Sequence, residues 1–459
     1  MTTKQNKKSA LIIATLSAFL GPYMGSSINI ALPDIGETFS MSAISLGWVA
    51  TSYILTAAVF LIPFGRLADI YGRKKNYIIG ISIFTLSSLL CAVAHSETSI
   101  IIYRVIQGIG SAFIFSTGTA ILVSVYPPNE RGRVLGINAA AVYIGLSVGP
   151  FLGGILTQAF GWRAVFWVNV PVGILLVLLS AILLKGEWAE AKGEKFDLVG
   201  SIILIASLTA LILGMGNLPH TNGVIMVIAG ILGVILFVMQ QLRVKYPLIK
   251  ISLFTKNRVF AFSNLAAFIN YSATFAITFL LSLYLQYVKG FDAHYAGTIL
   301  VAQPIVMALF SPIAGKLSDK TEPRFVASVG MALVAIGLFL LIFVNTETTT
   351  LTLVLYLMLL GLGFALFSSP NTNAVMTSVD RKTYGIASSI LGTMRLTGQM
   401  FSMGIAMLVF SITLGKAKIT PDLYGQYSSS MSYIFVIFTA LCVFGVFASL
   451  ARGRVHDCN

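Results

Sequence analysis

Residues Gly65–Lys75 read Gly-Arg-Leu-Ala-Asp-Ile-Tyr-Gly-Arg-Lys-Lys, one carboxylate among four cationic side chains, set between two long apolar runs. The chemistry open to such a cluster is reversible ion pairing. Asp69 lies where it can cap a helix N-terminus or accept from a nearby arginine. Gly65 and Gly72 allow close packing and a tight turn. A contact of this kind can hold one side of a molecule shut and break when that side opens. The plain alternative is that the charges only mark which side of a membrane the loop faces.

Two further cations sit inside apolar sequence. Arg104 lies about two turns into one run, and Arg395 about eleven residues into another, roughly 16 Å along a helix at 1.5 Å per residue. An arginine at mid-membrane depth costs roughly 2.5–3.5 kcal/mol on insertion scales and marks a functional site by default. The bland readings are a snorkelling or structural residue for Arg104, and for Arg395 a bridge to helix-end carbonyls or polar neighbours. No acid falls in the middle of an apolar run. Asp34 comes nearest, just past Pro33 at the end of the first run. A site for cationic compounds needs a buried counter-charge, so the two arginines lean instead toward anionic, zwitterionic or neutral amphiphiles. The other polar side chains in apolar runs are Asn29, Tyr53, Asn138, Asn270, Gln303, Asn371 and Asn373. Helix-to-helix hydrogen bonding is the commoner role for any one of them. About half are expected to face a cavity if the chain is a carrier.

The elements that must position these residues are membrane spans. The chain is 57% hydrophobic and 10% charged, against about 25% charged in soluble domains. Apolar runs recur near 10–32, 46–66, 76–95, 99–125, 133–158, 164–184, 197–216, 223–243, 258–288, 295–315, 325–345, 350–376, 384–414 and 428–451. Each can cross roughly 30 Å of hydrocarbon as a helix, whereas a β-barrel would show short alternating segments. The first run is too long for a signal-peptide core and reads as helix 1. An even number of spans puts both termini on one side. The net charge of +14 does not point to nucleic acid, because its placement is one-sided. Only Arg163, Lys289, Lys416 and Lys418 fall in loops away from the N-terminus; Arg104 and Arg395 lie in spans, and the rest share the N-terminal side. By the positive-inside rule both termini are expected in the cytoplasm.

Several chemistries find no support. Cys91, Cys442 and Cys458 show no ligand or disulfide spacing. The histidines at 95, 220, 294 and 456 are scattered, so neither a metal nor any other cofactor is expected. Gly315-Lys316-Leu317 lacks the upstream glycine and the following Ser/Thr of a phosphate-binding loop, which argues against an ATP-driven pump. The chain is expected not to be an enzyme.

The sequence also repeats. Gly65-Arg66-Leu67-Ala68-Asp69 returns as Gly315-Lys316-Leu317-Ser318-Asp319. Gly108-Ile109-Gly110 returns as Gly361-Leu362-Gly363, and Gly136-Ile137 with Gly149 returns as Gly385-Ile386 with Gly398. Three collinear matches at nearly one offset predict two equivalent six-helix bundles, helices 1–6 and 9–14. The expected units are an N-terminal bundle over 1–185, a linker carrying two inserted helices over 186–257, and a C-terminal bundle with a short tail over 258–459. Two parallel halves suit a carrier with its substrate site between them near the midplane.

These motifs resemble those of the major facilitator superfamily. The stretch at Gly65–Lys75, with Gly65, Asp69, Gly72 and Arg73, is similar to its loop motif after helix 2. Arg104, Gln107 and Gly108 resemble its helix 4 motif R-x-x-Q-G-x-G. Gly145, Gly149, Pro150, Gly153 and Gly154 resemble the G-x-x-x-G-P-x-x-G-G motif of its antiporters. Asn169-Val170-Pro171 after Trp162-Arg163, with Pro247-Leu248, resembles the 14-helix drug:proton antiporters. The resemblance implies an all-α polytopic membrane protein with the major facilitator fold, two six-helix bundles plus two inserted helices. It implies a gating role for Asp69. It also favours a hinge in helix 5, where glycines every fourth residue make a smooth stripe and Pro150 removes a backbone donor. That family carries an acid in helix 1 upstream of N-x-A-L-P; here the segment is Asn29–Pro33 and the matching position is Met24. If protons are coupled, Asp34 with Arg104, or a group on the substrate, is the candidate carrier.

The expected function is secondary active export of small amphiphilic compounds by alternating access, with proton coupling open. The expected setting is the cytoplasmic membrane of a bacterium or archaeon. The expected partners are the substrate, protons if coupled and membrane lipid, without nucleic acid, and the unit of function is a monomer. The alternatives are a lipid or amphiphile flippase, and a ligand sensor on a carrier fold.

Overall fold

The computed structural model describes residues 3–379, 384–415, 417 and 419–453. Lys416, Lys418, His456 and Cys458 lie outside these, as does the side chain of Asp319. Among the described residues fourteen helices are long and apolar enough to span a membrane. They are α1 (Asn6–Phe39), α2 (Ala43–Tyr71), α3 (Arg73–Ala92), α4 (Glu97–Val125), α5 (Val134–Phe160), α6 (Arg163–Leu183) and α7 (Leu198–Gly216). The others are α8 (Thr221–Gln241), α9 (Arg258–Val288), α10 (Ala293–Ser318), α11 (Pro323–Leu341), α12 (Thr350–Thr377), α13 (Ile386–Thr413) and α14 (Pro421–Leu450). Helices α1–α6 and α9–α14 form the two six-helix bundles of an all-α membrane fold, with α7 and α8 inserted between them.

Hydrocarbon leaves a backbone no partner but itself, so the runs are helical and the breaks fall where side chains can cap them. Ser42 accepts from the Ser45 amide at 3.2 Å to open α2, and Asn257 and Asp292 do the same for α9 and α10. Ser96 and Ser99 form a reciprocal capping box at the start of α4. Gly72, at φ +113°, makes the turn between α2 and α3.

Helix α1 departs from its expected end at Leu32. It continues through Pro33 to Phe39, so Asp34 lies on its last turns rather than in a loop. Pro33 has no N–H, which leaves the Asn29 carbonyl four residues earlier without its helical donor. The Ser282 hydroxyl of α9 donates to that carbonyl at 2.6 Å. The helix survives its proline because the other bundle satisfies the freed acceptor.

The repeated glycines make repeated contacts. A Cβ on Gly108 would lie 2.8 Å from Thr56 Cβ on α2, and one on Gly361 would lie 3.0 Å from Val306 Cβ on α10. Gly110 sits 2.8 Å from the Gly80 carbonyl of α3, and Gly363 2.8 Å from the Gly330 carbonyl of α11, by the same measure. Gly398 faces the α9 backbone at Phe268 and Ser272, as Gly145 faces α1 at Phe19 and Tyr23. In packing terms Gly398 thus answers to Gly145, one turn from the Gly149 that sequence offset pairs with it. Small residues let backbones approach where no hydrophobic force drives helices together in lipid.

Helices α7 and α8 pair through Gly214 and Gly230. They rest against the bundles through Trp48 beside Gly216 and a 3.0 Å hydrogen bond from Ser411 to the Leu218 carbonyl.

Arg452, just past α14, is fully buried. Its Nε donates to the Ser449 carbonyl at 2.9 Å and its Nη1 to Asn371 Oδ1 at 3.1 Å, while Nη2 reaches the Ser449 hydroxyl. The Asn371 amide in turn donates to the Ser263 carbonyl at 3.1 Å. One guanidinium therefore staples α14, α12 and α9. Burial pushes it down to about 10, still charged at neutral pH. Arg452→Ala strands these acceptors at roughly 1–3 kcal/mol for each one left unpaired. The expected result is a thermal unfolding midpoint in detergent several degrees lower; an unchanged midpoint would contradict the staple.

Candidate functional site

The charged motif at the end of the molecule that carries the termini is a closed network. Arg73 pairs with Asp69 one turn earlier, Nη2 to Oδ1 at 2.6 Å and Nε to Oδ1 at 2.8 Å. The same guanidinium donates to the Ala120 carbonyl and the Ser124 hydroxyl of α4, and to Glu190 Oε1 at 2.8 Å. Glu190 belongs to the connection after α6, and that connection supplies two more acids. Glu194 pairs with Arg66. Glu187 accepts from the Lys74 and Lys75 amides at 2.7 and 3.2 Å, a carboxylate on the positive end of α3. Two backbone bonds join them, from Arg73 to the Trp188 carbonyl and from Ala191 to the Asp69 carbonyl. The linker lies over the motif as an acidic cap, a contact the sequence reading missed. The available signal was three acids at 187, 190 and 194 opposite four bases. Glu190 and Glu194 are substantially exposed, so each such pair contributes only ~0–1 kcal/mol.

Arg104 is sealed. Its Nε donates to the Val49 carbonyl at 3.0 Å and its Nη1 to Gln107 at 2.6 Å, and it lies 4.3 Å over the Tyr53 ring. Gln107 passes the network on to Ser88 at 2.8 Å, and Tyr53 pairs with Ser111 at 2.6 Å. With Gly108 against α2 and Gly110 against α3, the helix 4 motif knits three helices together. Asp34 is not among the partners of Arg104. Met24 is buried, with its sulfur 3.3 Å from the Asn169 amide.

Arg395 is different. It is half-buried, with Nη2 on Thr372 Oγ1 at 2.6 Å and its guanidinium 5.7 Å from the Tyr271 ring. Among the described residues its Nε has no hydrogen-bond partner and no carboxylate pairs with it.

The remaining polar candidates divide. Asn29, Tyr53, Asn270 and Asn371 are buried in helix packing, while Asn138, Gln303 and Asn373 are half-buried. Asn373 donates to Ser318 at 3.1 Å. Asn29 donates to the Gly25 carbonyl at 3.3 Å. Among the described residues neither polar atom of the Asn270 amide has a partner, nor does Asn138 Oδ1.

The glycine stripe of α5 has two faces. Gly145, Gly149 and Gly153 lie on α1, where Cβ atoms at Gly149 and Gly153 would each come 2.9 Å from a serine Cβ, of Ser26 and Ser27. Gly154 faces Ala293 and His294 of α10, and Gly297 returns the contact at the Pro150 carbonyl. These contacts cross between the bundles at the end away from the termini. Three hydrogen bonds cross there too: Ser282 to the Asn29 carbonyl at 2.6 Å, Gln286 to the Ile30 carbonyl at 3.0 Å and Tyr287 to the Pro33 carbonyl at 3.3 Å. Gly47 meets Met407 at the same end, whereas toward the termini a Cβ at Gly392 would clear Leu61 by an ordinary 3.6 Å. Sequence reading missed Ser282, Gln286 and Tyr287, because nothing in a single span shows which carbonyls of another will be free.

The profile of the Major Facilitator Superfamily matches residues 12–198 and 264–456. The chain is 32% identical over 402 residues to the riboflavin transporter RibZ of Clostridioides difficile (strain 630), covering 88% of this chain and 87% of that one. It is 30% identical over 464 residues to the cephamycin export protein CmcT of Amycolatopsis lactamdurans, covering 98% and 95%. A bacterial homologue of the lysosomal transporter Spinster, solved inward-facing and unoccupied, superposes with a TM-score of 0.72 at 17% identity, over 97% of each chain.

Proposed function

The chain belongs to the Major Facilitator Superfamily; as such it is a secondary transporter of small solutes rather than an enzyme, and we propose that it exports amphiphilic compounds from the cytoplasm by alternating access. The observation that carries this reading is the one-sided closure: among the described residues, cross-bundle hydrogen bonds and tight glycine contacts gather at the end away from the termini. With the basic, terminus-bearing end in the cytoplasm, the structure is sealed outside and poised to take substrate from inside. The units that rock are residues 1–185 and 258–459, with 186–257 tethering them, and a monomer suffices. Relatives named for export and multidrug resistance support the outward direction. Riboflavin and cephamycin, the compounds two relatives are named for, set the range of sizes to try first.

Asp69 serves the inner gate. Its carboxylate holds Arg73, and Arg73 holds α4 and the linker. The network is intact with the cytoplasmic side open, so it does not break on opening as a bolt would; it holds the inner end of the N-terminal bundle in the shape against which the other bundle closes. A pump-deficient bacterial host expressing the wild type is expected to survive at least about fourfold higher concentrations of some member of a panel of cationic, neutral and anionic amphiphiles. Asp69→Asn at matched membrane expression is expected to lose most of that protection. Equal protection by both would remove the gating role. No protection against any compound would favour a sensor or a flippase of endogenous lipid.

A further inference from the structure

We propose that Arg395 is the docking point for an anionic group on the transported compound, and that Tyr271 carries a ring of the same molecule. The inference rests on the carrier reading for its outcome, export, but its basis is local. Arg104 and Arg395 lie within spans and Arg452 is buried just past one, and they are handled differently. Arg104 and Arg452 are fully buried: Arg104 donates to the Val49 carbonyl and to Gln107, with its Nη2 unpartnered among the described residues, and Arg452 donates to Ser449 and Asn371. Arg395 keeps one, to Thr372, and is half-buried with its Nε unpartnered. It stands mid-span on α13, where a cation without a counter-charge is costly. Among the described residues no acid pairs with it.

The surroundings favour a flat anion. A guanidinium presents a planar fork that matches a carboxylate, phosphate or sulfonate bidentately. Thr372 fixes one arm of that fork, so the rest of the group is oriented before a ligand arrives. The Tyr271 ring lies 5.7 Å below the guanidinium, with Phe364 edge-on to it at 5.3 Å. An aromatic acid would set its charge on Arg395 and its ring beside Tyr271. The same arrangement repels cations, since an organic cation would meet a like charge with no carboxylate to offset it.

The test uses the purified full-length carrier and two xanthene dyes of similar shape, anionic fluorescein and cationic rhodamine 123, with binding read by fluorescence anisotropy. Wild type is expected to bind fluorescein at least about tenfold more tightly than rhodamine 123. Arg395→Gln is expected to lose at least about tenfold in fluorescein affinity, and Arg395→Lys to recover part of it. Size-exclusion profiles identify any variant that fails to fold, and the lysine variant then decides. Unchanged fluorescein binding in Arg395→Gln overturns the site, as does a wild type that prefers rhodamine 123 or binds no fluorescein at millimolar concentration. Dye efflux from cells separates this from the carrier reading. Arg395-dependent binding without efflux supports the site and counts against export. Efflux indifferent to Arg395 does the reverse.

Discussion

Replacing Gly149 with leucine is expected to abolish transport while the protein still reaches the membrane. A Cβ at this position would already lie 2.9 Å from Ser26 Cβ and 3.0 Å from the Tyr23 carbonyl, with the Ser26 hydroxyl closer still. Three further carbons have nowhere to go on that face. The α5 backbone must move off α1, and overpacking of this sort costs about 1–3 kcal/mol. Gly154, just over one turn further on, faces α10 across the bundle boundary. A displaced α5 therefore disturbs the surface on which the bundles close as well as its own bundle. A loss of at least about tenfold in efflux at matched expression is the expected size. Gly136→Leu is the control, because among the described residues nothing lies within 4 Å of a Cβ there. Normal efflux by the Gly149 variant would show that the stripe has slack and no part in the cycle.

The second large effect is expected at the outer closure, and it is a coupling rather than a simple loss. Ser282→Ala leaves the Asn29 carbonyl with neither a helical donor nor its cross-bundle one. An unsatisfied buried acceptor costs roughly 1–3 kcal/mol, which is about a five- to 150-fold shift in a two-state equilibrium. The bundles should part more readily on that side, read as faster labelling of a cysteine at Gly36 by an impermeant maleimide. Pro33→Ala restores an N–H to the Asn29 carbonyl from within α1. In that background Ser282→Ala is expected to have little further effect. Independent, additive effects of the two substitutions would show that the proline and the serine do not act on one carbonyl.

The spans were legible because lipid leaves a long apolar run one solution, a helix. The repeat was legible because the same glycines make the same close contacts twice, at Gly108 with Gly361 and Gly110 with Gly363. What escaped depends on partners distant in sequence. Pro33 reads locally as a stop, and only Ser282, on another helix, lets α1 run on to Phe39. Arg452 reads as one more basic residue of a cytoplasmic tail, yet it is buried against Asn371 and Ser449. Asn371 and Tyr53 are among the polar residues for which helix-to-helix bonding is the commoner role, but nothing in their spans shows that each meets an arginine. The acids of the linker lie more than 100 residues after the motif they cover, so nothing local in the sequence pairs them. Arg395 shows the opposite case, since its depth in α13 followed from counting residues, and its missing counter-charge from the lack of acids within the spans.

The claim that the molecule works by opening and closing its two sides in turn is tested most directly by locking one of them. Gly36 and Tyr287 face each other across the outer closure, a Cβ on the first lying 2.9 Å from the hydroxyl of the second. In a chain whose three native cysteines are serines, cysteines at these two positions would be joined by a short, reducible bifunctional thiol reagent. Efflux of a compound found in the growth panel is expected to fall to background on cross-linking and to return when the link is reduced, with each single-cysteine control unaffected. Full efflux through a carrier cross-linked at its outer end would contradict alternating access.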